Sequence, residues 1–167
     1  MDFGKNNNSI FMKMDGFNVN SESDLKDIIL DSVGELEEFK KLDDSGVYAF
    51  TIKDSYMYHM VIDNVNNYMN IELAIGGVMS LIKEENLDYL KNLVSFVNYY
   101  KSRCTIGSII SKDNHNIEDP SDFDFIVTYR VISPDIKNRL GLKKHIERAI
   151  EEIDNYLNLT LDKVHEL

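Results

Sequence analysis

Histidine and acidic side chains are clustered along the sequence at one place, around His115. Asp113 precedes it, and Glu118 and Asp119 follow it, so groups that could bind a divalent metal stand close together along the chain. The segment lacks the twelve-residue ligand pattern and the terminal Glu of a calcium-binding loop. Closeness along a loop does not make ligands converge on an ion, so we interpret it as a solvated polar loop and predict no metal site.

Nucleophilic and phosphate-binding signals are equally weak. Cys104 follows Arg103, and a neighbouring cation favours the reactive thiolate, but no motif ties a histidine base to this cysteine. Gly76-Gly77 lacks the spacing and the Lys-Ser/Thr ending of a phosphate-binding loop, so a turn is predicted there. The paired acids at 84–85 and 151–152 should point in different directions around helices. We therefore predict no catalytic residues and no cofactor, and a protein that is not an enzyme.

The length and composition favour a single domain. The 167-residue chain is 43% apolar, and we predict one domain over residues 1–167, with a lead-in at 1–20 and a core at 21–160. Its apolar runs are shorter than the roughly 20 residues that a membrane-crossing helix needs. The first residues do not resemble a signal peptide, and one cysteine fits a reducing compartment. These features predict a cytoplasmic protein that does not bind a membrane.

Acidic residues dominate the charge of the chain. Asp and Glu number 29 against 18 Lys and Arg, which gives a net charge of −11. Such a surface repels phosphate groups, so binding to nucleic acid is not expected. The charge could steer a basic protein partner, or it could serve only solubility.

The first predicted element is a helix that starts near Ser21 or Ser23, either of which could cap it. Residues 43–46, Asp-Asp-Ser-Gly, are a turn sequence and are predicted to end it. Its apolar residues recur at steps of three and four, which is typical of one buried helix face: Leu25, Ile28, Ile29, Val33 and Leu36.

Three strand-like runs follow, at residues 47–53, 56–62 and 68–75. They are rich in β-branched and aromatic residues, and the gaps between them are too short for a crossover helix. An antiparallel meander is therefore predicted. Tyrosine and methionine are concentrated in it, either because they fill the core or because one sheet face contacts a partner. The residues that we assign to partner contact are Tyr56, Tyr58, Met60 and Tyr68.

The second half of the chain predicts a helix, two strands and a last helix. The helix begins near residues 84–85, and strands are predicted at 106–110 and 123–131. Ser133 should cap the last helix, which Gly141 either interrupts or separates from a short turn. The order α-β-β-β-α-β-β-α predicts an α+β domain with a five-stranded, mainly antiparallel sheet and helices packed on it.

The segment 93–100, a strand pair and a closing amphipathic helix resemble the YbjN-like family of bacterial proteins. That family is similar in fold to type III secretion chaperones, with the same order of elements. Asn98, near the end of the middle helix, and the strand that starts at Gly107 are the local features that match. The resemblance implies a protein-binding or regulatory module without a known catalytic site, in which Asn98 would cap its helix.

Two functions from different classes are consistent with these patterns. The preferred one is a non-enzymatic protein-binding module, chaperone-like or regulatory, whose partner is another protein or a second copy of the chain in a homodimer. The alternative is an immunity-type inhibitor whose acidic surface covers a basic toxin such as a nuclease. A third hypothesis is a small-molecule sensor with a pocket between sheet and helices.

Overall fold

The computed structural model describes residues 21–44, 46–53, 55–63, 65–76, 86–100, 104–111 and 123–165. Within these ranges the chain forms three α-helices: α1 (Glu22–Val33), α2 (Leu87–Tyr100) and α3 (Arg139–His165). The strands there are β1 (Leu36–Lys41), β2 (Val47–Ile52), β3 (Met57–Asp63), β4 (Tyr68–Gly76), β5 (Thr105–Ser111) and β6 (Phe123–Ile132). The predicted lead-in and the loop around His115 lie outside the described residues.

These strands form one antiparallel sheet in the order β1-β2-β3-β4-β6-β5. The predicted meander is confirmed, because β2, β3 and β4 pair as consecutive neighbours. β4 and β6 are adjacent although α2 and β5 separate them in the chain, and β5 lies at one edge. The α+β class and the antiparallel sheet are as predicted, but the sheet has six strands rather than five.

The additional strand, β1, lies where the sequence predicts the end of the first helix. α1 stops at Val33, because Gly34 adopts a φ of 79° and caps the helix with its N–H. The register of β1 then shifts at Glu37, and this bulge lets Leu36 and Phe39 both pack against the core although they are three residues apart. Such a spacing resembles one turn of a helix, which is why the prediction of a helix through Leu36 is wrong.

All three described helices pack on one face of the sheet, which we call the covered face. α3 presents an apolar stripe to this face, since Ile146, Ala149 and Ile153 are fully buried. Alternate residues of the central strands point into the same layer and are also fully buried: Tyr58, Met60, Ile71, Leu73, Val127 and Tyr129.

The last helix begins in two steps. The Ser133 hydroxyl accepts from the Asp135 N–H as a cap, but Pro134–Lys137 forms a short 3₁₀ helix rather than the first turn of α3. Asn138 then accepts from the Gly141 N–H with its side-chain oxygen and caps α3. A Cβ on Gly141 would lie within 3.0 Å of the Asp135 backbone, so the glycine lets the two segments meet. The structure thus separates a short turn from the main helix, one of the two roles left open for Gly141.

Asn98 joins α2 to the edge strand β5. Its side-chain amide accepts from the Gly107 N–H at 2.9 Å and donates to the Gly107 carbonyl oxygen at 3.0 Å, as a residue of a neighbouring strand would. The Tyr156 hydroxyl of α3 donates to the same Asn98 oxygen at 2.7 Å. The expected role of Asn98 as a helix cap is therefore wrong. Its side chain closes the sheet edge at Gly107 and ties three elements together.

Candidate functional site

The four residues that the sequence assigns to partner contact lie in different environments. Tyr58 and Met60 are fully buried on the covered face. Tyr56 precedes β3 and is 48% exposed. Tyr68 begins β4 on the opposite face of the sheet and is partly buried. The structure does not gather the four on one surface, and contact of Tyr56 or Tyr68 with a partner stays a prediction.

Tyr58 is a core contact between the sheet and α3. Its ring stacks on Phe50 with the centroids 5.4 Å apart, and its hydroxyl donates to the Asp154 carboxylate at 3.0 Å. Burial raises the pKa of Tyr58 to about 12, so the phenol stays protonated and remains a donor at neutral pH. Burial also raises the pKa of Asp154, and the hydrogen bond from Tyr58 opposes that shift.

The raised pKa of Asp154 makes stability depend on pH. At a pH below the pKa that Asp154 has in the unfolded chain, the carboxyl is protonated in both the folded and the unfolded state. As pH rises toward the higher pKa of the folded state, the unfolded state ionises more easily than the buried group, so the folded state loses stability relative to the unfolded one. We therefore expect the unfolding free energy of wild type to fall, relative to Asp154→Asn, between about pH 3 and pH 7. Urea unfolding of both proteins across that range measures the difference. An unfolding free energy of wild type that stays constant, or rises, relative to that of Asp154→Asn as pH increases would contradict the assignment.

The other face of the sheet, which we call the open face, has no described helix packed on it. The strand register assigns to it the positions that alternate with those of the core, and three of these positions, Ala49, Asn70 and Thr128, are also buried. Its members include Val47, Ala49 and Thr51 of β2, Met57, His59 and Val61 of β3, Tyr68, Asn70 and Glu72 of β4, Ile126, Thr128, Arg130 and Ile132 of β6, and Ile106 and Ser108 of β5.

The open face combines a polar centre with apolar margins. Asn70 donates to the Glu72 carboxylate at 3.2 Å and accepts from Arg130 Nε at 3.4 Å, which leaves this network formally neutral in a chain of net charge −11. Such a mixture of polar and apolar groups is typical of surfaces that bind proteins. The exposed apolar side chains are Met57, Ile106 and Ile132, at 37%, 47% and 77% exposure.

Ile106 and Ile132 are residues that the sequence analysis did not single out. On β6, the residues that alternate into the core are Phe125, Val127 and Tyr129. Ile126 and Ile132 occupy the alternate positions of β6, which face the other side of the sheet. Their apolar side chains were the feature of the sequence from which this second surface could have been predicted. Apolar residues on the second face of a strand indicate a second apolar surface.

A cleft of about 430 Å³ lies on the helix side, between the end of α1, the β2–β3 turn and α3. Its lining contains the carboxylates of Glu147, Glu151 and Asp154, and no basic residue is among the described residues that line it. Lys143 approaches one of these acids from outside, with its Nζ 3.7 Å from Glu147. The cleft is therefore suited to a cationic group.

The residue types that could bind a metal or act as a nucleophile are spread over the described part of the chain. In the described ranges, no three His, Cys, Asp or Glu side chains lie close enough together to hold a metal ion. His115 and its acidic neighbours fall outside those ranges. Cys104 is a free, partly buried cysteine beside β5. None of the described helices is long and apolar enough to cross a membrane.

Comparisons with known proteins relate this chain to others through its fold. No protein family and no curated protein matches the sequence. The fold is similar to that of an uncharacterized protein from Methanothermobacter thermautotrophicus, with a TM-score of 0.57 and 11% identity over 87% of this chain and 98% of that one. It is also similar to YbjN from E. coli, a proposed transcription regulator, with a TM-score of 0.52 and 9% identity over 88% and 93% of the two chains. The resemblance to YbjN is thus supported for the fold, at identities too low to show membership of a family.

Proposed function

We propose that this protein is a non-enzymatic binding module whose open face contacts another protein. The observation that carries the proposal is the asymmetry of the sheet. Its covered face holds the described helices, and its open face exposes Met57, Ile106 and Ile132. Burying these side chains against a partner removes apolar surface from water, while the exposed Arg130, which donates to the buried Asn70, can orient the partner through further hydrogen bonds.

The similarity to YbjN supports a regulatory role at the level of the fold. Direct contact with DNA is disfavoured for this chain, because a net charge of −11 repels phosphate. We therefore propose that the protein regulates or chaperones another protein by direct contact with it.

A charge on the open face should weaken partner binding without unfolding the domain. We expect Ile106→Asp and Ile132→Asp each to weaken binding at least about tenfold, because a carboxylate would be desolvated in the interface. The partner is identified by affinity capture from the host followed by mass spectrometry, and each variant is then titrated against it. Leu140→Asp, on α3 at 63% exposure, is the matched control and should bind as wild type does. Equal affinity of all four proteins would show that the partner uses another surface.

The acidic cleft favours a second candidate, inhibition of a basic toxin. Its three carboxylates could receive a Lys or Arg side chain of such a protein, and association would be fast and sensitive to salt. The same titration separates the two functions. A toxin inhibitor should lose affinity on Glu151→Lys, whereas a partner of the open face should respond to Ile132→Asp.

A further inference from the structure

The two edges of the sheet are closed to different degrees. At β5, the Asn98 amide occupies both outward-facing backbone groups of Gly107. At the opposite edge, β1 pairs with β2 alone among the described strands, and the Leu42 N–H bonds to the Val47 carbonyl oxygen at 2.9 Å. Antiparallel hydrogen bonds alternate along a strand, so the backbone groups of Phe39 point away from β2. An edge that no other described strand covers is a template for another strand.

The sequence of β1 is complementary to its own reverse in charge. Glu37 and Glu38 precede Phe39, and Lys40 and Lys41 follow it. In an antiparallel pairing centred on Phe39, Glu38 of one copy lies opposite Lys40 of the other, while Glu37, at the bulge, and Lys41 lie at the two ends of the paired segment. Opposite charges at facing positions stabilise paired strands, and like charges destabilise them.

The same pattern selects one register. A shift of two residues in one direction sets Glu38 against Glu38, and a shift in the other direction sets Lys40 against Lys40. A parallel pairing in register would place every charged residue opposite itself. The antiparallel pairing centred on Phe39 is therefore the one that brings unlike charges together.

We propose that β1 is a dimerisation strand, through which two copies of this chain pair antiparallel about a twofold axis at Phe39. The two Phe39 residues would exchange backbone hydrogen bonds, and two sheets would become one continuous sheet. Phe39 already stacks on Tyr48, with the centroids 5.7 Å apart, and this stack would lie beside its symmetry copy. Glu38 and Lys40, whose charged atoms are 3.4 Å apart within one strand, would join the same two residues of the second copy in a four-charge cluster.

The proposed dimer is independent of the proposed binding function. The twofold axis would run perpendicular to the sheet, so the open faces of both copies would lie on the same side and stay accessible. Failure of partner binding would leave the dimer intact, and failure of the dimer would leave the open face available. Because the strand is short, the interface is small, and we expect a dissociation constant on the order of 10 µM.

Charge reversal on β1 tests the dimer by analytical ultracentrifugation at physiological salt, where the repulsion between two acidic bodies is screened. The pair Lys40→Glu with Lys41→Glu, and the pair Glu37→Lys with Glu38→Lys, should each weaken self-association at least about tenfold. An equimolar mixture of the two variants should recover wild-type association, because unlike charges face each other again. Lys137→Glu with Lys144→Glu makes the same change of net charge as the first pair on exposed positions away from β1 and should leave the dimer unchanged.

Three results would overturn the proposal. Wild type could remain monomeric at several times the expected dissociation constant. Both charge-reversed variants could dimerise as wild type does, which would place the interface elsewhere. Their mixture could also stay monomeric, which would show that the opposed charges do not pair. Circular dichroism of each variant confirms that the compared proteins are folded.

Discussion

Replacing Gly107 by alanine should destabilise the domain by about 2–4 kcal/mol, because the new methyl group overlaps a fixed aromatic ring. A Cβ at this position would lie less than 3.0 Å from the Tyr156 side chain. That ring cannot move aside easily, since its hydroxyl donates to Asn98 and the residue is buried. If the Tyr156 ring were pushed aside, Asn98 would lose the hydrogen bond from the Tyr156 hydroxyl and would be held less firmly at the edge of β5. Thermal melting measures the effect as a decrease of about 5–15 °C in Tm.

Two controls isolate the clash at Gly107. Ser108→Ala changes the next residue of β5, which faces the open side, and should alter stability by about 0.5 kcal/mol or less. Adding Tyr156→Leu to Gly107→Ala removes the overlapping ring, so the double variant should be more stable than the sum of the single effects implies. Strict additivity would show that the methyl group and the ring do not meet.

Tyr58→Ser should destabilise the domain by about 3–5 kcal/mol, comparable to the loss of any large buried ring. The side chain is fully buried, stacks on Phe50 and donates to Asp154, so serine leaves a cavity and an uncompensated carboxylate. Tyr56→Ser, at a half-exposed position two residues earlier, should cost about 1 kcal/mol or less. Urea unfolding of the two single variants gives both values.

The contrast between these tyrosines also decides how binding experiments are designed. A double replacement of Tyr56 and Tyr58 by serine should abolish partner capture through unfolding, whatever surface the partner uses. Substitutions at Ile106 and Ile132 avoid this problem because both side chains are exposed. A Tyr58→Ser protein with the urea midpoint of wild type would contradict the burial of Tyr58 in the core.

Much of the fold follows from local patterns in the sequence. The strand predicted at 123–131, in which Phe125, Val127 and Tyr129 alternate into the core, is observed, and so is the closing amphipathic helix, which buries Ile146 and Ile153. These elements are long, and their side chains repeat with one period from end to end. β1 is short and contains a bulge, so its apolar spacing imitated a helix that Gly34 in fact ends.

The candidate site was harder to predict, because it depends on which face of the sheet the helices cover. β3 carries apolar residues on both faces, so its sequence could not separate buried Tyr58 from exposed Met57. The hydrogen-bond partners of Asn98 could not be predicted from the neighbouring sequence either. Its amide binds a backbone nine residues away, and the Tyr156 hydroxyl comes from 58 residues away. Long-range contacts of this kind leave no periodic signal.

Site-specific photo-crosslinking tests the central claim, that the open face binds the partner, most directly. A photoreactive residue is placed at Ile132 on the open face or at Leu140 on the helix side, both of which are exposed in the free protein. We expect the captured partner to be crosslinked from position 132 and not from position 140. Crosslinking from position 140 alone would contradict the account and move the binding surface to the helices.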